Sequence, residues 1–284
     1  MSIVVTGATG HLGRHVVEQL LEKVPAEQVT AVARTPEKAA DLAARGVRVA
    51  VADYNAPETF DGLFAAGDKV LLISGSEVGN DRVAQHRTVI EAAKAAGVAL
   101  LAYTSAPGTL TAALADDHRA TEEVLLASGL PYVLLRNGWY HENYTENLAP
   151  VLAHDAVTHA AGDGRISSAA RADYAAAAVA VLTGEGHENK TYELGGDVAW
   201  SMGEYAAELS RQTGREIADN PVSAEALTGI LTGAGVPAPF AAILAGVDTS
   251  IARGELVVDS GDLSRLAGRP TTPLADAIAA ALKD

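Results

Sequence analysis

The chain has 284 residues, 48% of them hydrophobic and 5% aromatic, which is enough to bury one large core or a core and a half. Its formal net charge of −15 disfavours nucleic acid and anionic membrane surfaces as partners, since both need clustered Lys and Arg. With no cysteine, disulfides, thiol nucleophiles and thiolate metal sites are excluded, and no apolar run approaches the length of a membrane span. A soluble cytoplasmic enzyme fits these bounds, and no leader is read before the first strand.

That strand, predicted over 2–6, runs into Gly7-Ala8-Thr9-Gly10-His11-Leu12-Gly13, three glycines spaced by three, and then into the helical pattern Val16, Val17, Leu20, Leu21. Strand, glycine-rich turn and helix start together form a dinucleotide pyrophosphate site. Gly7 allows the tight turn, Gly10 lets the backbone approach the phosphates, and Gly13 lets the helix pack on the strand. The helix N-terminus then aims its free N–H groups at the anion. His11 and His15 share a helix face, but no third ligand accompanies them and no metal is expected.

The second strand, 28–33, ends at Arg34, about 20 residues beyond the glycines, where an acidic residue would accept from the ribose 2′-OH of NAD. A guanidinium there pairs with a phosphate instead, and Lys38 adds charge one turn later, so NADP(H) is expected over NAD(H). The alternative is a solvated start of a surface helix.

Further strands are predicted at 47–51, 69–73, 99–104, 132–136 and 190–194. Helices are predicted near 11–23, 36–45, 57–65, 81–96, 117–128 and 170–183. Short apolar runs alternating with amphipathic helices indicate an α/β, Rossmann-type, doubly wound parallel sheet. After Gly195-Gly196 the rhythm changes. Ser201 caps a helix over 202–213, and then only short helices punctuated by Pro221, Pro237, Pro239, Pro270 and Pro273 are expected, with no strong parallel strand. Residues 1–139, with 166–196 packing back, are read as the nucleotide domain. Residues 140–165 and 197–284 are read as a small, mostly helical lobe, with the site between the two at the carboxyl ends of the strands.

The strand-end loops supply the remaining candidates. Asp53 is placed either to accept from an adenine amino group or to cap a helix from Ala56 onward. The loop Gly75-Ser76-Glu77 follows the fourth strand, and Thr104 and Ser105 close the fifth. After the sixth come Asn137, Gly138, Trp139, Tyr140, His141 and Asn143, where a nicotinamide and a flat substrate would meet; the alternative is packing between lobes.

Conventional short-chain dehydrogenases use a Tyr with a Lys four residues on, and none of the eight tyrosines here has one. The helix that ought to carry the pair holds His118 and Glu122 instead. Alcohol oxidation needs a base for the hydroxyl proton, so sugar or steroid alcohols and sugar-nucleotide epimerisation are disfavoured. A quinone accepts hydride without such a base, and His118 could supply the proton, or be only a partly exposed helix histidine. No nucleophile elbow is present, so a serine hydrolase is unsupported.

With Ala33-Arg34-Thr35-Pro36-Glu37-Lys38, Leu72-Ile73-Ser74-Gly75-Ser76-Glu77-Val78, Ala102-Tyr103-Thr104-Ser105, Leu134-Leu135-Arg136-Asn137-Gly138-Trp139-Tyr140, Ala161-Gly162-Asp163-Gly164, Arg171-Ala172-Asp173-Tyr174 and Leu266-Ala267-Gly268-Arg269-Pro270-Thr271-Thr272-Pro273-Leu274, the chain resembles the NmrA-like atypical short-chain dehydrogenases. Within them it is most similar to the bacterial NAD(P)H:quinone oxidoreductases of type 2. The likeness covers nearly the whole chain. It implies NADPH touching residues 7–12, Arg34, the Gly75-Ser76-Glu77 loop and the segment from Gly138 to Asn143, with a small quinone near Trp139, Tyr140 and Asn143. The family also contains NADP-binding redox sensors with little or no turnover, which is the alternative reading. A homodimer is left open.

Overall fold

The computed structural model describes residues 2–75, 81–111, 115–146 and 148–283. Seven parallel strands form its sheet: β1 (Ile3–Val5), β2 (Val29–Ala33), β3 (Arg48–Val51), β4 (Lys69–Leu72), β5 (Leu100–Ser105), β6 (Tyr132–Asn137) and a later strand, Lys190–Leu194. They lie in the order β3-β2-β1-β4-β5-β6 with the later strand outermost beside β6. The order reverses between β1 and β4, and at such a switch point the loops leaving the two strands diverge and open a crevice.

The sheet is doubly wound because its inner strands are apolar on both faces. On one face pack α1 (His11–Leu20), α2 (Ala40–Ala44) and a helix over Arg171–Thr183, with Val16, Val17, Leu20, Ala175, Ala178 and Leu182 meeting Ile3, Val5 and Ala31. On the other pack α3 (Arg82–Ala96) and α4 (Asp116–Ser128) through Val89, Ile90, Ala93 and Leu125. Gly129 ends α4 in the left-handed region, as the Ser128-Gly129-Leu130-Pro131 stop predicts.

Between β6 and the outermost strand lie α5 (Glu142–Thr145), α6 (Ala149–His154), β7 (Ala156–His159), β8 (Arg165–Ile166) and α7 (Arg171–Thr183); the outermost strand is β9. Then follow β10 (Trp200–Ser201), α8 (Met202–Thr213), β11 (Ala218–Pro221), α9 (Ala224–Gly233), α10 (Ala238–Ala252), α11 (Asp262–Ala267) and α12 (Leu274–Ala281). Ser201 opens α8 with a capping box closed by Glu204, as expected. A third core gathers Leu148, Val157, Trp200, Met202, Tyr205, Val247, Ile251 and Ile278.

Three expectations are corrected here. Residues 57–65 form only a 3-10 turn over Pro57–Phe60, because Gly62 at φ +70° turns the chain away. A parallel strand does follow residue 196: β11 pairs with β7, and its exposed sequence Ala-Asp-Asn-Pro carries no apolar alternation by which to find it. The helices after α8 are not all short. Pro237 and Pro239 stand at the start of the 15-residue α10, where proline's fixed φ suits the first turn, and do not interrupt it.

Candidate functional site

The glycine turn occupies the switch point. Gly7 has φ +60°, and the Gly10 N–H donates to its carbonyl at 3.0 Å. A Cβ on Gly13 would fall 2.2 Å from the Gly7 oxygen, so only glycine lets α1 seat there. A Cβ on Gly10 would meet only that same oxygen, at 3.3 Å, and no other neighbour. α1 begins with no side-chain cap and no acidic residue in its first turn, which suits a pyrophosphate. Ala8 is buried, and its N–H donates to the Val32 carbonyl; Thr9, His11 and Leu12 line the turn.

Arg34 and Lys38 lie exposed just beyond the end of β2, beside the turn. Arg14 of α1 braces this corner: its guanidinium donates to the Lys38 carbonyl at 2.6 Å and to Asp41 at 2.5 Å. Asp53 accepts from the Asn55 N–H at 2.9 Å, a local Asx turn; the residue preceding the short 3-10 helix is Ala56, so Asp53 is not its cap. Tyr54, which the sequence reading passed over, lies beneath the glycine turn. Its hydroxyl contacts Thr6 Oγ1 at 2.5 Å and donates to the Ile73 carbonyl, and burial pushes its pKa well up.

The segment after β6 comes to the same place. Glu146, just past α5, pairs with Arg171 and stands 3.8 Å from the His11 ring in the glycine turn. The Arg171 guanidinium lies over the Tyr140 ring, 5.4 Å from its centroid. Trp139 and Tyr140 are half-buried and Asn143 is exposed on α5. The Tyr140 hydroxyl accepts from Asn137 Nδ2 at 3.4 Å, and burial raises its pKa, so the phenol stays protonated at neutral pH. Two buried acceptors beside it, Asn137 Oδ1 and Glu142 Oε2, have no donor among the described residues. The structure therefore brings the glycine turn, at His11, to Tyr140 through Glu146 and Arg171. Gly138 is buried behind Tyr140 against Leu194 and Tyr174, Trp139 packs against the third core, and Asn143 is exposed. Gly75 lies three residues beyond β4, its N–H held by His86 Nε2 at 2.9 Å; Ser76 and Glu77 fall outside the described residues. Glu146, Arg171 and Tyr54 were missed because each is ordinary in its own local sequence and meets the site only through the fold.

Three predicted residues turn inward. Thr104 Oγ1 accepts from the Ser74 N–H at 2.9 Å, and Ser105 Oγ donates to Glu122 at 2.5 Å, so both hydroxyls are held within the protein. Glu122 in turn receives two hydrogen bonds from Arg136. His118 is not partly exposed: it is 8% exposed, bonded to Arg82 and Tyr103, and its pKa is pushed down to about 3 by burial and the nearby Arg82. A neutral imidazole held in this way is no imidazolium acid for the crevice.

Residues 7–185 match the NAD(P)H-binding family, and the chain belongs to it. It is 48% identical over 278 residues to "Quinone oxidoreductase 2" of Escherichia coli (strain K12), covering 97% of each chain. Its fold superposes, with a TM-score of 0.95 and 47% identity, on the crystal structure of the NADPH-dependent quinone oxidoreductase of that bacterium complexed with NADPH, over 99% of this chain and 100% of that one. Triphenylmethane reductase of Citrobacter sp. complexed with NADP(H) superposes with a TM-score of 0.93 at 41% identity, over 99% of this chain and all of that one. The NmrA-like relationship is borne out by a 29% identical oxidoreductase of that family from Aspergillus flavus, matched over 98% of this chain.

Proposed function

We propose that the protein is an NADPH-dependent quinone oxidoreductase. The observation that carries this reading is the meeting of the uncapped phosphate turn with an aromatic wall through Arg171 and Glu146, in a chain whose full length matches a quinone oxidoreductase. Residues 1–139 and 166–196 hold the cofactor, and 140–165 with 197–284 shape the acceptor side. The Gly7–Gly13 turn and the first N–H groups of α1 bind the pyrophosphate; Arg34 and Lys38 grip the 2′-phosphate. Asp53 accepts from the adenine amino group.

NADPH, when bound, supplies a hydride. The protein's task is then to orient the acceptor and exclude competing geometry. Trp139 and Tyr140 stack against the quinone. The protonated Tyr140 phenol and the Asn143 amide donate hydrogen bonds to its carbonyl oxygens, where negative charge develops. Hydride transfer turns the quinone into a hydroquinone anion, which takes its proton from water, so no Tyr–Lys pair is needed.

The test mixes the pure protein with NADPH and benzoquinone or naphthoquinone and follows NADPH loss. Turnover that tracks quinone concentration supports the reading. Tight NADPH binding without turnover on any quinone would make the protein a redox-sensing binder. The reading also places the enzyme in the cytoplasm, as a monomer or homodimer, which light scattering resolves. Among the described residues no helix is long and apolar enough to cross a membrane.

A further inference from the structure

β4 ends at Leu72, and the next three backbone N–H groups are each caught by a side chain from a different element. Thr6 Oγ1, at the end of β1, accepts from Ile73 at 3.1 Å; Thr104 Oγ1 of β5 accepts from Ser74 at 2.9 Å; and His86 Nε2 of α3 accepts from Gly75 at 2.9 Å. Two of these side chains are hydroxyls that strand ends commonly supply. The third is a fully buried imidazole, 0% exposed, in a helix position whose neighbours Val89, Ile90 and Ala93 are apolar core. A leucine would serve packing there. What a leucine lacks are the two ring nitrogens, one facing Gly75 and one facing Thr121.

The network around His86 decides which nitrogen is bare. Thr121 Oγ1 donates to the Asp117 carbonyl at 2.7 Å, so its proton is committed and it must accept from His86 Nδ1 at 2.9 Å. That leaves Nε2 unprotonated and facing Gly75. His118 repeats the logic one step away. Its Nε2 accepts from Arg82 at 3.0 Å, so its Nδ1–H donates to the Tyr103 hydroxyl at 2.8 Å, and Tyr103 stands 3.4 Å from His86 Nδ1. Burial and the Arg82 charge keep both rings neutral, with pKa values pushed down to about 3.

We infer that His86 is a positioning residue for the cofactor. Held in one tautomer by Thr121, it fixes the backbone Ile73–Gly75, which runs beside the phosphate turn, as a wall against which the nicotinamide half of NADPH lies. The inference rests on the NADPH-binding reading above. It assigns to α3, which meets the predicted contact Gly75 only through its backbone N–H, control over how well the crevice is preformed.

The experiment compares the full-length wild type with H86L, H86Q, T121V and H86Q/T121V, measuring NADPH affinity by calorimetry, steady-state KM values for NADPH and for benzoquinone, and Tm. Glutamine can place an acceptor oxygen where Nε2 stands. H86L should weaken NADPH about tenfold, the worth of one buried hydrogen bond, and leave the quinone KM within about twofold. H86Q should restore NADPH affinity to within about threefold of wild type, and T121V, which frees the tautomer, should cost part of the H86L loss. In the H86Q background T121V should add little. A purely structural role for His86 predicts the opposite pattern: lowered Tm in each variant, unchanged NADPH affinity of the folded protein, and no rescue by glutamine. If wild type binds NADPH and H86L, or, should H86L not fold, T121V, binds it equally well, the inference fails alone. If wild type binds no NADPH, the functional reading and the inference fall together.

Discussion

Gly13 has no side chain because there is no room for one: an added Cβ would lie 2.2 Å from the Gly7 oxygen and 2.8 Å from the Ala8 Cα, both backbone atoms that cannot swing aside. Gly13→Ala should therefore cost about 1–3 kcal/mol of stability by overpacking, seen as a lower Tm, and should weaken NADPH binding by displacing α1 from the turn. Arg34 makes a different kind of contribution. Replacing it with Ser removes a charge-assisted contact to the 2′-phosphate, so NADPH affinity should fall by about tenfold to a hundredfold while NADH affinity stays within about threefold. Calorimetry on both cofactors checks this. At this scale the sequence was a good guide where spacing carries geometry, as with the three glycines. It was a poor guide to which way a polar side chain points. Thr104, Ser105 and His118 stand at the positions expected for contact, yet their polar atoms are consumed by Ser74, Glu122, Arg82 and Tyr103, partners far away in the chain.

Elements hold the aromatic wall in place. Asp173, fully buried at the start of α7, accepts from the Thr272 N–H at 2.8 Å, the Thr272 hydroxyl at 3.2 Å and Arg269 at 2.6 Å. The Thr272 carbonyl in turn accepts from His141 Nε2, whose Nδ1 accepts from Ser168, while the Trp200 indole donates to Ser168. The stretch Arg269–Thr272 thus straps α7 to the Trp139–His141 segment. Asp173→Ala should lower stability by about 1–3 kcal/mol, because it leaves buried donors unpaired. The same change should raise the quinone KM more than the NADPH Kd, since the strap touches the acceptor wall and not the phosphate turn. Comparing the two constants checks the direction. The strands of the main sheet up to β6 were legible because they carry short apolar runs bounded by turn residues, whereas β9, Lys-Thr-Tyr-Glu-Leu, shows only the alternation of Tyr192 and Leu194. β11 was not, since parallel pairing of an exposed Ala-Asp-Asn-Pro segment leaves no hydrophobic trace. The strap appears in the sequence as a motif of the resemblance, but nothing local shows its partners, which lie about a hundred residues earlier in the chain, or more.

For the molecule as a whole, buried neutral histidines set the response to acid. His86 and His118 are pushed from 6.5 down to about 3, and burial also lowers His141. Their folded-state pKa values lie below the unfolded ones, so between pH 6.5 and 3 the unfolded chain binds more protons. Stability is then fully present above about pH 6.5 and is lost as pH falls, by up to about 1.4 kcal/mol per pH unit for each such histidine. Urea unfolding at a series of pH values should show a plateau near neutrality and a decline from pH 6.5 toward 4.5, shallower in H118Q by about one proton. A flat profile across that range would place these rings in water. The central claim is that one crevice, built from the glycine turn, the Arg34 corner and the Tyr140 wall, holds NADPH for reduction of a planar acceptor. The most direct measurement is calorimetric titration of the wild-type protein with NADPH and with NADH. Saturable binding of NADPH at least about tenfold tighter than NADH is the expected result, from one additional charge-assisted phosphate contact. No heat of binding with NADPH, or equal affinity for the two nucleotides, would contradict it.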